Sequence, residues 1–210
     1  MKLVNMTVKE FIDTLASDAV APGGGSVSAL AGANGCGLIA MAGELTFNKK
    51  KFKELSEDVK KDFKDCITFF KESKEKFLTY IDEDTNVFNQ LMKAFKMPKE
   101  KEEERRQRSL EIQKATMETI RVPMEVCHLA IQSMRKIADV MMYSNKNTIS
   151  DQGVGVMMLH TAVEGSAMNV LINLSGLKDQ TLAKEYRQTV DEIKEEAKSL
   201  RETLLNKVVL

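Results

Sequence analysis

The chain has 210 residues, 43% of them hydrophobic and 30% charged, which is enough apolar material for one domain with a full core. Lys plus Arg and Asp plus Glu both number 31, and this zero formal charge gives no footprint of a nucleic-acid binder. Three widely separated cysteines, Cys36, Cys66 and Cys127, sit at apolar helical positions and read as free thiols of a reducing cytoplasm; the first residues lack an apolar core segment, so no leader is expected.

Thr7 and Glu10 have the spacing of a capping box, and Phe11, Ile12 and Leu15 follow on one face, so a short amphipathic helix is predicted to end near Ser17. Next comes APGGGSVSALAGANGCGLIAMAGELT, Ala21 to Thr46. At 100° per residue, Gly25, Ala29, Gly32, Cys36, Ala40 and Gly43 form a strip of nearly bare backbone. Val27, Leu30, Asn34, Leu38, Met41 and Leu45 lie opposite, so the helix has apolar surface to bury on both sides. Each interior glycine costs about 1 kcal/mol relative to alanine. Close packing must offset that, against a neighbouring helix of this chain or the same helix of a second subunit. A membrane span is the rival explanation of so long an apolar stretch, but Asn34 interrupts it and no second span exists, so no membrane is expected.

Pro22 and the glycines Gly23, Gly24 and Gly25 free the backbone ahead of this helix, and Ser26 is the predicted cap. Unpaired amides at the positive end of the helix would seat an anion or a polar ligand edge. No Gly-Lys-Ser/Thr follows, so it is not a nucleotide P-loop. An equally open reading is a glycine turn that merely admits the chain to a crowded helix.

From Lys51 to Phe95 the apolar positions keep helical spacing, which predicts one rod of roughly 65 Å at 1.5 Å per residue. Met97 and Pro98 turn the chain. A second long pattern runs from Lys99 to Ala138, with Pro123 expected to kink it, and the short connection requires the two to lie antiparallel. Tyr143 to Ser150 is a polar loop with Ser150 as the predicted cap of the next helix and Asp151 in its first turn. That helix is again rich in small residues and apolar on nearly all sides. Leu182 to Leu204 reads as an outer amphipathic helix. No strand signal or repeat occurs, so the predicted fold class is all-α: a bundle of about six helices, a single domain over 1–210, with a central Gly/Ala-rich helix surrounded by the others.

Polar residues stand where apolar ones are expected. The stripe Phe77, Ile81, Asp84, Phe88, Leu91, Phe95 contains one carboxylate, and burial moves such a group toward a pKa useful for acid–base work. Asp84 holding a cap or a lysine at a subunit seam is the alternative. Asp82 and Glu83 are rotated off the stripe and expected in solvent. Asn169 and Asn173 share one face and offer the donors and acceptors that suit the amide-like edge of a heterocycle, or could tie two helices together. His160 and Glu164 have metal-ligand spacing but no visible third ligand, so no metal site is predicted. His128 has no partner evident in the sequence.

Taken together, PGGGS before a small-residue helix ending in LT at Leu45 and Thr46, basic Lys49 to Lys51, DEDTNVF at Asp82 to Phe88, KMPKE at Lys96 to Glu100, VP at Val122 and Pro123, SD at Ser150 and Asp151, and NVLINL at Asn169 to Leu174 resemble one family. It is that of formiminotetrahydrofolate cyclodeaminases and methenyltetrahydrofolate cyclohydrolases. The likeness covers about the first 175 residues; Ser144 stands where the family pattern has Gly before Asn145. The resemblance implies a dimeric helical bundle in the cytoplasm that binds a reduced folate, polyglutamylated forms included, with no cofactor beyond tetrahydrofolate and no metal. It also implies a formiminotransferase as a separate partner, since that domain is fused ahead of this one in some members. The expected chemistry is closure of 5-formiminotetrahydrofolate to 5,10-methenyltetrahydrofolate with loss of ammonia. The cyclohydrolase reaction and a non-catalytic folate-binding dimer are the alternatives. Asp84 and Lys50 are the expected catalytic residues. Gly23, Gly24, Gly25, Ser26, Asn145, Asp151, Asn169 and Asn173 are the expected substrate-binding set.

Overall fold

Glycine where two helices must touch, and bulk where they must not, sets the architecture. The computed structural model describes residues 2–209 and contains seven α-helices, α1 (Val8–Leu15), α2 (Gly24–Phe47), α3 (Lys50–Lys53), α4 (Glu57–Phe95), α5 (Glu102–Tyr143), α6 (Ile149–Asn173) and α7 (Gln180–Leu205), with no strand among those residues. The bare strip of α2 faces α4: a Cβ on Gly32 would stand 2.6 Å from the Phe77 ring, and one on Gly43 would be 2.1 Å from Ile67 Cδ1. A quarter turn away α2 meets α6 backbone to backbone, where a Cβ on Gly35 would lie 2.9 Å from the Gly155 carbonyl oxygen. Gly24 lies beside Asn169 and Gly35 beside Gly155, so the two helices run antiparallel. The expected occupant of the bare strip, a helix of this chain or of a second subunit, is therefore α4 of this chain.

The opposite face of α2 is left open. Val27, Leu30 and Leu38 are half-buried, while Asn34, Met41 and Leu45 are exposed, Leu45 by 50%. The neighbouring outer face of α6 continues it with Val154, Met157, Met168 and Ile172, all exposed. α2 is long and apolar enough to cross a membrane by length and composition, yet 67% of that window is buried inside the chain.

Several boundaries differ from expectation. α1 has its Thr7–Glu10 capping box but stops at Leu15, and only Phe11 on it is buried. The rod expected from Lys51 breaks at Glu54 to Ser56: α3 turns inward so that Phe52 packs on Phe47 and Phe63, centroids 5.5 and 5.1 Å away, and Ser56 starts α4 by accepting from the Val59 amide. Beyond Asp84 the apolar stripe of α4 surfaces, Phe95 being exposed, because α2 starts level with Asp84 and does not cover the rest; Val87 and Ala94 are the buried positions there. Ser150 is not a cap, since α6 already begins at Ile149 after a 3-10 turn over Lys146–Thr148.

α5 runs through Pro123 as one continuous helix. Proline has no N–H to give the carbonyl four residues back, and here the Asn173 side-chain amide donates to the Thr119 carbonyl at 2.7 Å instead. α7 closes the outside, with Arg135 of α5 giving two hydrogen bonds of 2.6 Å to the Glu196 carboxylate. All three cysteines are free and buried, and burial pushes the Cys36 and Cys127 thiols up to about 12.

Candidate active site

The N-terminal end of α2 is built for a carboxylate. Gly23, not Ser26, is the N-cap, so the helix starts one turn earlier than the sequence pattern suggested. It can do so because Gly25 has no side chain: a Cβ there would stand 2.0 Å from Asp84 Oδ1. Ser26 lies in the first turn, wholly buried, and its hydroxyl is 3.0 Å from both the Ile81 carbonyl and Asp84 Oδ2, with Thr85 Oγ1 at 3.3 Å. The backbone N–H of Ser26, in the same turn, also favours the ionised form of Asp84. Asp84 thus takes part of the anion seat expected at this helix end, leaving the amides of Gly24 and Gly25, which have no intrahelical acceptor by position.

Burial pushes the Asp84 carboxyl above its ordinary value, against the opposing pull of the Ser26 side-chain and backbone hydrogen bonds. The single hydroxyl proton of Ser26 serves one acceptor at a time. When Ser26 donates to Ile81, a protonated Asp84 can donate to Ser26; when Asp84 is ionised, Ser26 turns to it. The cluster therefore accommodates either protonation state without an orphaned group, as a proton-transfer residue requires. Asn169 lies beside it, half-buried, its side-chain nitrogen donating to the Gly165 carbonyl at 2.8 Å. A Cβ on Gly24 would be 3.3 Å from that nitrogen, so the carboxamide lies against the first turn of α2.

The remaining expected residues lie elsewhere. Lys50 is at the far end of α2, about 36 Å from Gly24 for a 24-residue helix. It is exposed, with Glu54 Oε1 at 3.8 Å. With Lys49, Lys51, Phe52, Tyr143 and Lys146 it lines a cleft of about 560 Å³. Asn145 belongs to that end too: its amide donates to Thr46 Oγ1 at 2.9 Å, and its side chain accepts from the Asn147 amide at 3.2 Å. Asp151 follows in the first turn of α6, half-buried. Asn173, half-buried one turn further along α6 than Asn169, gives its side-chain N–H to the Thr119 carbonyl as described above. Asp82 and Glu83 are not solvated as expected: Asp82 accepts from the Leu3 amide at 2.6 Å, and Glu83 meets Arg121 at 2.7 Å.

Thr85, beside Ser26, was missed by sequence reasoning; its only cue was adjacency to Asp84. The lysines around Lys50 had a clearer signal in the run Lys49 to Lys51. Glu164 is 4.0 Å from His160 Nε2 and also pairs with Lys194 at 3.3 Å, while burial and then Arg201 hold the imidazole pKa down.

An all-helical body that sets a half-buried carboxylate, its pKa raised by burial, against the first turn of a helix has the kind of group that acid–base chemistry uses. Comparison with known proteins makes this specific. The family described as formiminotransferase-cyclodeaminase matches residues 7–192, and the chain belongs to this family of folate one-carbon enzymes. A methenyltetrahydrofolate cyclohydrolase from Methylorubrum extorquens is 33% identical over 205 residues, covering 97% of this chain and 96% of the relative. A formimidoyltransferase-cyclodeaminase from Dictyostelium discoideum is 34% identical, over 98% of this chain but only 37% of its own length. A crystal structure of formiminotetrahydrofolate cyclodeaminase from Thermotoga maritima superimposes with a TM-score of 0.77 at 28% identity, covering 97% of this chain and 94% of that one.

Proposed function

We propose that the chain closes 5-formiminotetrahydrofolate to 5,10-methenyltetrahydrofolate with release of ammonia. The N10 amine attacks the carbon of the protonated formimino group, one N–H proton passes from N10 to the departing nitrogen, the C–NH3 bond breaks, and the methenyl cation remains with the single positive charge. Asp84 is the group suited to that relay: ionised, it takes the N10 proton; raised in pKa by burial, it holds the proton until the amine leaves. Gly23, Gly24, Gly25, Ser26 and Asn169 border the reacting end, and Lys50, Asn145 and Asp151 serve the opposite end of the ligand. The lysine cleft suits the carboxylates of a folate glutamate tail. The reaction as written uses no cofactor besides the folate, and a formiminotransferase would supply the substrate.

The observation that carries this reading is Asp84 buried against Gly25 and Ser26 in a chain of this family. The full-length likeness to the Methylorubrum cyclohydrolase supports a second reading. There water adds to the methenyl carbon; Asp84 takes one of its two protons and passes it to N5 as the C–N5 bond breaks, and the second proton is released to solvent as the formyl carbonyl forms. One carboxylate serves both reactions, so the assay must decide. Incubation with each substrate separately, following ammonia for the first and loss of the methenyl chromophore for the second, is expected to give ammonia. Turnover of methenyltetrahydrofolate alone selects the cyclohydrolase, and tetrahydrofolate binding with no turnover selects the non-catalytic alternative.

A further inference from the structure

We propose that Thr85 is a positioning residue of the active site: its hydroxyl donates to that of Ser26 and so strengthens the hydrogen bond Ser26 gives to ionised Asp84. This rests on the reading of Asp84 as the proton-transfer group and extends it to the residue that governs how Ser26 donates.

A threonine inside a helix has a partner for its hydroxyl at hand in the carbonyl four residues back. Thr68 and Thr79 of α4 use it, as do Thr46, Thr161 and Thr189 on other helices. For Thr85 that carbonyl belongs to Ile81, and the hydroxyl that reaches it is Ser26 of α2, at 3.0 Å. Thr85 Oγ1 stands instead 3.3 Å from Ser26 Oγ. Ser26 is wholly buried and has one proton for Ile81 and Asp84, both 3.0 Å away. Were Thr85 the acceptor, that proton would be lost to Asp84; as the donor, Thr85 leaves it available. The Ile81 carbonyl already has the Thr85 backbone N–H as its helical partner, so the charge of an ionised Asp84 makes the stronger claim on Ser26. A hydroxyl that accepts one hydrogen bond also donates a stronger one. A protonated Asp84, by contrast, would have to share the Ser26 oxygen with Thr85. Both effects favour the ionised carboxylate that takes the N10 proton. Burial and Ser26 are what act on Asp84. Its acidic neighbours are engaged elsewhere, Asp82 with the Leu3 amide and Glu83 with Arg121 of α5, and the side chain that α6 brings to this end is the uncharged Asn169.

The test is the pH profile of Thr85→Val, which keeps the shape of the side chain and removes the donor. On the acidic limb of kcat/KM, where ionised Asp84 is limiting, the rate should fall about threefold, the effect of weakening one hydrogen bond. Thr85→Ser, which keeps the hydroxyl, should restore the limb. In a Ser26→Ala background the shift caused by Thr85→Val should vanish, because Thr85 acts only through Ser26. An unmoved limb, a loss by the same factor at every pH, a Thr85→Ser profile like that of Thr85→Val, or an equal shift in the Ser26→Ala background overturns the inference. If the wild type turns over neither folate, the functional reading has failed, and the hydrogen-bond arrangement is decided separately by carbon NMR of carboxyl-labelled aspartate, the Asp84 signal being the one that Asp84→Asn lacks. A higher titration midpoint in Thr85→Val than in the wild type and Thr85→Ser supports the arrangement; coincident midpoints overturn it.

Discussion

Asp84 is held in tension: burial works against its charge, and the hydroxyl and amide of Ser26 work for it. Replacing Ser26 by alanine removes one of the two supports. The carboxyl pKa should rise further, and the limb of the pH–rate profile that reports Asp84 should move to higher pH, as steady-state rates across a pH series will show. The same tension predicts a stability effect. A carboxyl whose folded pKa lies above its unfolded value, about 3.9 for aspartate, gives up protons in the unfolded state first. Stability is therefore full below that pH and falls as pH rises through the folded pKa. Asp84→Asn removes this loss, so its melting temperature should exceed that of the wild type at pH 8, with the difference shrinking toward pH 4. Its turnover should nonetheless drop about 10²-fold or more, the usual contribution of a positioned acid–base group, measured as ammonia release at saturating substrate.

At the scale of elements, α5 and α6 are coupled by a repair. Pro123 leaves the Thr119 carbonyl without its helical donor, and Asn173 supplies one from α6. Asn173→Leu should orphan that carbonyl and lower stability by about 1–3 kcal/mol in urea unfolding. In a Pro123→Ala background the helix regains its own N–H, and the effect of Asn173→Leu should shrink markedly, a coupling that a double-mutant cycle reads directly. This pairing explains why sequence patterns went only part of the way. The helix order, the small-residue strip of α2 and the oddity of Asp84 follow from periodicity, a local property. That Asn173 serves Pro123 depends on a contact between residues 54 apart in sequence. Likewise Ser26 has the chemistry of a cap, and only the position of Asp84 against Gly25 shows that the helix starts before it. The break after α3 hides in the same way, because the apolar spacing runs on through Leu55 and Val59 while Phe52 turns to an aromatic cluster.

For the whole molecule, the two ends of α2 carry different chemistry: proton transfer beside Asp84, and positive charge beside Lys50. The face that joins them is apolar and open. The decisive measurement is ammonia release from 5-formiminotetrahydrofolate by the wild type and by Asp84→Asn under the same conditions. Release by the wild type that the variant loses with its helix content unchanged is the predicted result; a variant that releases ammonia at the wild-type rate would contradict the account.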